Sequence, residues 1–210
     1  ELRAEDARIC RITHVANVPW ILEHGIHCQN SDARDPDFVS IGMADLIEKR
    51  KTREVIVGPR GVLADYVPFY FTPYSIMMYC IHTGYNNVTR RTNEEIAILV
   101  SSLHKMAELE IPFVFTDGHA YSVEAGYFTD LEDLAQIDWP LLHSRNFARD
   151  PEDPGKTSRY QAEALVYQHV PVEALLGVVC YNQQVESRFN EKARELGVDV
   201  TVKANPGWYF

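Results

Sequence analysis

The sequence lacks an apolar run long enough to cross a membrane, although 46% of its 210 residues are hydrophobic. Residues 1–6 have neither the basic region nor the apolar region of a signal peptide. From these two absences we expect a cytoplasmic protein with no membrane partner. The length and the hydrophobic content are sufficient for one packed domain.

The cysteines lack the spacing of a metal site or of a disulfide framework. The four of them, Cys10, Cys28, Cys80 and Cys180, are scattered, and no two form a Cys-x-x-Cys pair. We therefore expect buried free thiols and no bound metal.

Positive charge is also scarce, since 20 Lys and Arg residues face 30 Asp and Glu residues and the formal charge is -10. A protein that coats nucleic acid neutralises many phosphates with basic side chains, and this balance argues against that mode. It leaves room for a protein that reads a short single strand, because a few base contacts need no overall positive charge. Local basic clusters at 49–53 and 156–159 fit such limited contact.

The residues that are present predict a mixture of strands and helices. Strands are predicted at 10–13, 66–71, 111–115, 163–167, 177–181 and 198–202. Helices are predicted at 17–25, 45–51, 93–109 and 184–196, and residues 75–82 are apolar enough to be buried in either state. Residues 117–158 are predicted to form a long loop, and loops of that size are often functional.

A glutamine and a glutamate two residues apart stand at the start of one apolar run. In an extended strand the side chains of Gln161 and Glu163 would point to the same face and address one bound molecule. The carboxylate of Glu163 is the expected catalyst.

Five segments, in their order and spacing, together carry a resemblance to a known family. They are Ile12-Thr13-His14 with 17–25, the Arg-rich stretch after Ile41-Gly42, the aromatic strand 66–71, Thr116-Asp117-Gly118-His119, and Gln161-Ala162-Glu163. The chain resembles the ADP-ribosyltransferase superfamily and, within it, the DarT toxins that modify thymidine in single-stranded DNA. The resemblance implies a toxin of a toxin-antitoxin pair that transfers ADP-ribose from NAD to thymidine and releases nicotinamide.

The resemblance also implies the fold and the partners. We expect an α+β ADP-ribosyltransferase fold with peripheral helices and a mostly antiparallel β core split into two small sheets. A single domain is expected over 1–210, with a substrate-binding loop at about 117–158. The implied co-substrate is NAD, the implied acceptor is single-stranded DNA, and the implied partner is a DarG-type antitoxin with a macrodomain.

Roles for the donor side follow from the same resemblance. Glu163 would accept a hydrogen bond from the ribose hydroxyl and stabilise the positive charge that develops when nicotinamide leaves. His14 would contact the adenosine-side ribose or the diphosphate, and Thr13 and Val15 would contribute through their backbone. Tyr70, and after it Tyr74, would offer flat surfaces to nicotinamide or a base.

Roles for the acceptor side are more open. An arginine of the 50–53 cluster would reach the site, and Arg53 is preferred to Arg50 because Arg53, Val55 and Val57 would continue as a strand. Gln161 would position the acceptor base through its amide. His119 is a candidate DNA contact or proton acceptor, and Arg159 a candidate DNA contact.

Two rival functions remain at this point. The same fold could act on RNA or on protein, because the opening segment also looks like that of tRNA phosphotransferases. Alternatively, the chain could be a catalytically silent nucleotide-binding or nucleic-acid-binding module in which Glu163 is structural. Turnover of NAD that is lost on Glu163→Ala, with the fold intact, discriminates the enzymes from the silent module.

Overall fold

Strands rich in β-branched and aromatic residues build the centre of the fold, and the computed structural model describes residues 2–210. The strands are β1 (Arg8–His14), β2 (Ile26–His27), β3 (Tyr66–Tyr70), β4 (Ile96–Ser102), β5 (Phe113–Thr116), β6 (Tyr127–Phe128), β7 (Glu163–Tyr167), β8 (His169–Val170), β9 (Gly177–Cys180) and β10 (Thr201–Ala204). The α-helices are α1 (Val18–His24), α2 (Ala44–Arg50), α3 (Ile76–Thr83), α4 (Leu103–Glu108), α5 (Trp139–Ser144), α6 (Lys156–Arg159) and α7 (Gln183–Leu196). Short 3₁₀ helices lie at Val15–Asn17, Leu63–Asp65, Tyr85–Asn87, Asn93–Glu95, Leu131–Gln136, Val172–Ala174 and Pro206–Trp208.

The strands form one large sheet and one small one. Eight strands follow the order β10-β9-β4-β1-β3-β7-β5-β6, and β2 pairs with β8 separately. The β9–β10 pair is parallel, and the other pairs are antiparallel. The two halves of the large sheet meet at β1 and β3 through the single register pair Cys10–Tyr70. The prediction of a split, mostly antiparallel core is confirmed, but the halves stay joined in one sheet instead of forming two small ones.

The prediction of one helix over 93–109 is wrong, because Ile96–Ser102 form the central strand β4. All of its residues are buried. Ala97 and Leu99 belong to the hydrophobic cluster that includes α1 and α7, while Ile98 belongs to the cluster that includes α3. A strand that is covered on both faces reads as a continuous apolar run, so no period of two reveals it in the sequence.

The other predicted elements are found with shifted ends. The helices at 17–25, 45–51 and 184–196 correspond to α1, α2 and α7, and the six predicted strands to β1, β3, β5, β7, β9 and β10. The segment 75–82 proves helical from Ile76 onward, and the expected loop 117–158 contains β6, α5 and the start of α6. Within residues 2–210, no helix is long and apolar enough to cross a membrane. The four cysteines are buried free thiols, as predicted.

Gly25 ends α1 in a conformation that only glycine adopts without strain. Its φ is 77° and its ψ is -163°, and a Cβ at this position would collide with the carbonyl oxygen of Val170 in β8. We expect Gly25→Ala to lower the free energy of unfolding by about 3 kcal/mol or more, because backbone strain and a clash combine. Urea unfolding of the variant measures the loss.

Gly197 provides the matched control for this change. Its φ of 67° is also positive, but a Cβ added at this position would have no neighbouring heavy atom within 4 Å. Gly197→Ala is therefore expected to cost about 1 kcal/mol, from backbone conformation alone. Equal losses in the two variants would contradict the role assigned to the clash at Gly25.

Candidate active site

Glu163 lies at the beginning of β7, opposite Tyr70 of β3, and is only 2% exposed. Its Oε2 accepts a hydrogen bond from Nη1 of Arg50 at 2.9 Å. Its Oε1 accepts a hydrogen bond from the backbone N–H of Ala120 at 3.0 Å. Both carboxylate oxygens are thus held in place, which suits a group that must meet a developing positive charge.

Arg50 is the last residue of α2 and is 9% exposed. While Nη1 contacts Glu163, its Nη2 is buried and has no hydrogen-bond partner among the described residues. A buried donor without a partner costs free energy and calls for an explanation. Arg50 is also one of the residues that line a cavity.

Arg53, the arginine preferred from the sequence, does not meet Glu163. Its Nη2 donates instead to the backbone carbonyl of Ser122 at 3.0 Å. The strand that motivated this choice is absent, since Glu54 makes only an isolated bridge to Val62. The structure therefore brings Arg50, and not Arg53, to Glu163, while Arg53 supports the segment that follows β5.

The segment after β5 supplies the backbone donor to Glu163. The hydroxyl of Thr116 donates to the Gly118 carbonyl at 2.6 Å and accepts from the Glu163 N–H at 3.2 Å. The His119 N–H donates to the Ser158 carbonyl at 3.0 Å, which fixes the turn on its other side. These bonds direct the Ala120 N–H at the carboxylate.

His119 lies close to Glu163 without forming a hydrogen bond to it. Its Nδ1 is 3.8 Å from Oε1 of Glu163 and accepts a hydrogen bond from the Tyr121 N–H at 3.1 Å. In the neutral ring the proton is then on Nε2. In that tautomer Nε2 is a donor, and the role of His119 as a DNA contact or proton acceptor stays a prediction.

A cavity of about 180 Å³ opens beside Glu163 and Arg50. It is formed by β1, β3 and the segment 27–47, and its lining includes Arg11, Thr13, His27, Arg34, Phe38, Met43, Ile47 and Tyr70. Three arginines and one carboxylate line it, so the cavity carries a net positive charge. Such a lining suits a multiply charged anion such as a diphosphate.

Arg11 lies where β1 and β3 separate beyond their single register pair. Its Nη1 donates to the Pro68 carbonyl at 2.8 Å. Burial lowers its pKa to about 10, and the charges of Arg50 and Arg34 act in the same direction. The guanidinium therefore stays charged at neutral pH. Burial, with the nearby Glu163 charge, raises the pKa of Tyr70, so its phenol stays neutral.

Thr13 lines the cavity and is linked to the segment that covers it. Its hydroxyl accepts from Nδ2 of Asn17 at 3.0 Å. Asn17 also exchanges two hydrogen bonds of 2.9 Å with the backbone of Val39. Asn17 therefore connects the 27–47 segment to the end of β1 through hydrogen bonds.

His14 and Val15 follow Thr13 but are not among the lining residues. Nδ1 of His14 accepts from the Ala16 N–H at 3.1 Å, and Nε2 is 3.8 Å from Oε1 of Glu95. Burial, followed by the charge of Arg91, lowers the pKa of His14. The ring is neutral at pH 7, and its NAD contact stays a prediction.

Gln161 and Arg159 shape the loop in front of Glu163. Gln161 lies in the turn before β7 and its Nε2 donates to the Thr157 carbonyl at 3.0 Å, so the expected shared strand face is not formed. Arg159 donates to both carboxylate oxygens of Asp153, at 3.0 and 2.7 Å, and to Asp138 at 3.1 Å. Their side chains hold the loop, and neither lines the cavity.

Tyr74 is separated from the other candidates. It is buried, its hydroxyl donates to the Gly207 carbonyl, and it lines a second cavity. The structure therefore brings Thr13, Tyr70, His119 and Glu163 to one site and leaves Tyr74 outside it.

Sequence reasoning missed Arg11, Arg34 and the Ala120 N–H. The sequence did contain a signal for Arg11. It stands two residues before Thr13 on one strand, so the two side chains share a face of the sheet. Arg34 comes from a loop without periodicity, and a backbone donor leaves no side-chain signal.

Comparison with known proteins places this chain in a family. The family model described as "ssDNA thymidine ADP-ribosyltransferase, DarT" matches residues 10–210. A DNA ADP-ribosyl transferase of Escherichia coli O127:H6 is 48% identical over 209 residues, covering 100% of this chain and 96% of that protein. One of Thermus sp. (strain 2.9) is 38% identical over 181 residues, covering 86% of this chain and 84% of that protein.

Solved structures agree in fold over nearly the whole chain. Thermus sp. 2.9 DarT in complex with ADP-ribosylated ssDNA superposes with a TM-score of 0.89 and 33% identity, covering 98% of this chain and 97% of that one. The same DarT in complex with NAD+ gives a TM-score of 0.84 and 33% identity, covering 98% of each chain. The shared fold and the family match agree: the chain belongs to the DarT family of single-stranded-DNA thymidine ADP-ribosyltransferases.

Proposed function

We propose that this protein transfers ADP-ribose from NAD to thymidine in single-stranded DNA at the cavity beside Glu163, and releases nicotinamide. The observation that carries the proposal is the buried pair of Glu163 and Arg50, which both line a positively charged cavity, with Nη2 of Arg50 left without a hydrogen-bond partner. The donor and acceptor follow from the family, because a DarT of 33% identity was solved with NAD+ and with ADP-ribosylated ssDNA.

Glu163 is the proposed catalytic residue for bond cleavage. The bond between the ribose carbon and nicotinamide breaks with its electron pair going to nicotinamide, so the sugar develops positive charge, as in glycoside cleavage. A carboxylate that is already oriented by two hydrogen bonds stabilises this charge without reorganisation. Interactions that strengthen only as the charge develops raise the rate of the chemical step.

The remaining arginines are proposed to hold the donor. Arg11 and Arg34 line the same cavity as Arg50 and are suited to the NAD diphosphate, because guanidinium groups pair with phosphate oxygens. Tyr70 presents a neutral aromatic side chain beside Glu163, suited to contact with nicotinamide.

Arg50 is proposed as the residue that meets the thymine. The acceptor is the one ring nitrogen of thymidine that carries a proton, N3, and this proton must leave as the new bond to the ribose carbon forms. The buried Nη2 of Arg50 can donate to a thymine carbonyl oxygen and stabilise the negative charge left on the base. With His119 arranged as a donor, the proton is proposed to pass to Glu163 or to solvent.

A macrodomain antitoxin of the DarG type is the proposed partner of this toxin. A solved structure of Thermosipho africanus DarTG in complex with ADP-ribose shares the fold, with a TM-score of 0.78 and 21% identity. It covers 97% of this chain, and this chain matches 51% of it. The partner is thus suggested by resemblance, and its test is neutralisation of the toxin on co-expression.

The acceptor is tested with three matched single-stranded oligonucleotides that differ at one base: thymine, cytosine or 3-methylthymine. With NAD and the protein, mass spectrometry is expected to show a gain of one ADP-ribose on the thymine strand only, because the methyl group occupies N3. Released nicotinamide without any DNA adduct would redirect the search to RNA or protein. A complete absence of NAD turnover by folded protein would support the silent binding module.

A further inference from the structure

A second cavity, of about 210 Å³, is lined in part by β1, which also lines the active-site cavity. Cys10 lines it and is the register partner of Tyr70, which lines the first cavity opposite Glu163. Paired residues of antiparallel strands share one face of the sheet. Tyr74 lines the second cavity too, and the four-residue step from Tyr70 spans at most about 14 Å. That length corresponds to about four stacked nucleotides.

The second cavity is basic although the protein is acidic overall. Its lining within residues 2–210 contains Arg8, His143 and Arg145 and no carboxylate. The formal charge of the chain is -10, so a cavity lined by basic and by no acidic side chains is a local departure from the rest of the surface. A concave basic site of this kind attracts an anion.

Arg145 has a left-handed backbone conformation, which glycine adopts with less strain. It caps the C-terminus of α5 with a φ of 54°, in the left-handed region where glycine is preferred. Its guanidinium lies over the ring of Tyr74, 3.6 Å from the ring centroid. The side chain is exposed on its other side, so it presents a flat cationic surface to the solvent.

Aromatic rings continue from this point across the surface. Phe210 contacts Tyr74, Tyr79 and Phe147, with centroid distances of 6.3, 5.7 and 6.1 Å. Tyr79 and Phe210 are 36% and 37% exposed, which is high for large aromatic side chains. Basic groups next to exposed rings are the combination that binds single-stranded nucleic acid, through phosphate contacts and base stacking.

We propose that this second cavity binds a nucleotide of the DNA strand that flanks the modified thymidine. Arg145 stacks against its base, and Arg8 and His143 contact its phosphate, while Tyr79 and Phe210 stack the neighbouring bases. The inference rests on the proposed function, since it extends the same DNA strand beyond the reacting base. It also accounts for Tyr74, which supports Arg145 and is separate from the NAD cavity.

The test is Arg145→Gly in the full chain, with Arg60→Gly as the matched control. Both arginines are exposed and have a positive φ, and Arg60 lines neither cavity. Glycine adopts a positive φ without strain, so both variants are expected to unfold near the wild-type temperature. Fluorescence anisotropy with a labelled, thymine-containing strand of about 10 nucleotides measures the Kd for DNA without NAD.

Arg145→Gly is expected to raise the Kd for DNA about tenfold. Because Arg145 stacks on a base and the phosphate contact belongs to Arg8 and His143, the slope of log K against log salt and the KM for NAD are expected to stay unchanged. Arg60→Gly is expected to change none of these values. The proposal is overturned if Arg145→Gly binds DNA with the same Kd as Arg60→Gly. It is also overturned if Arg145→Gly binds DNA normally but is no longer neutralised by the antitoxin, because the surface then serves the antitoxin and not the DNA. DNA that binds normally but is never ADP-ribosylated by wild type contradicts the proposed function instead.

Discussion

Glu163→Gln is expected to lower the rate of DNA ADP-ribosylation by about 10³-fold. The amide keeps an acceptor for the Ala120 N–H but removes the negative charge that faces the developing cation. Because the lost interaction strengthens only as nicotinamide leaves, the loss should fall on kcat at saturating NAD, with a small change in KM. Single-turnover assays with the thymine oligonucleotide, followed by mass spectrometry, measure the effect.

Two further variants separate charge from position and from folding. Glu163→Asp keeps the charge but withdraws it from Arg50 and from Ala120, so its rate is expected to fall by about 10²-fold. Glu94→Gln removes the same charge at an exposed position and should be without effect. Thermal unfolding and NAD binding identify any loss of fold. A folded Glu163→Gln enzyme within tenfold of the wild-type rate would contradict the catalytic role of Glu163.

The parts of the site that the sequence predicts well are those set by local pattern. β1, β3 and β7 are recognisable from apolar and β-branched runs, and Glu163 follows from its place at the start of such a run. Tyr70 follows from alternation, because its neighbours Phe69 and Phe71 are fully buried while it lines the cavity. These inferences use periods of two that the folded backbone preserves.

The parts that the sequence predicts poorly depend on contacts between distant segments. Arg50 and Glu163 are brought together across the fold, and nothing near Arg50 distinguishes it from Arg53. An assumed strand favoured Arg53, whereas the chain forms a turn there with one bridge. Gln161 was misplaced for the same reason, because β7 begins only at Glu163. The choice between candidate residues therefore needed the tertiary structure.

Arg50→Ala is expected to lower kcat/KM for DNA by about 10²-fold or more, because it removes both the partner of Glu163 and the unpartnered Nη2 donor. It also leaves the Glu163 carboxylate buried without its ion-pair partner, so the free energy of unfolding should fall by about 3–5 kcal/mol. Arg50→Lys keeps the charge, but one ammonium cannot reproduce the planar pair of donors, so activity should recover only in part. Steady-state kinetics and urea unfolding measure the two effects.

Arg53→Ala is the informative comparison, because it removes the same side chain three residues away. Arg53 touches the Ser122 carbonyl and not Glu163, so its loss loosens the segment that presents Ala120 without disturbing the ion pair. We expect a decrease of about tenfold or less, recovered on lowering the temperature, since the fault lies in positioning rather than in charge. If a folded Arg53→Ala enzyme loses more activity than Arg50→Ala, the assignment of Arg50 as the active-site arginine is wrong. The opposite order would establish that the guanidinium acting on the substrate is the one paired with the catalytic carboxylate.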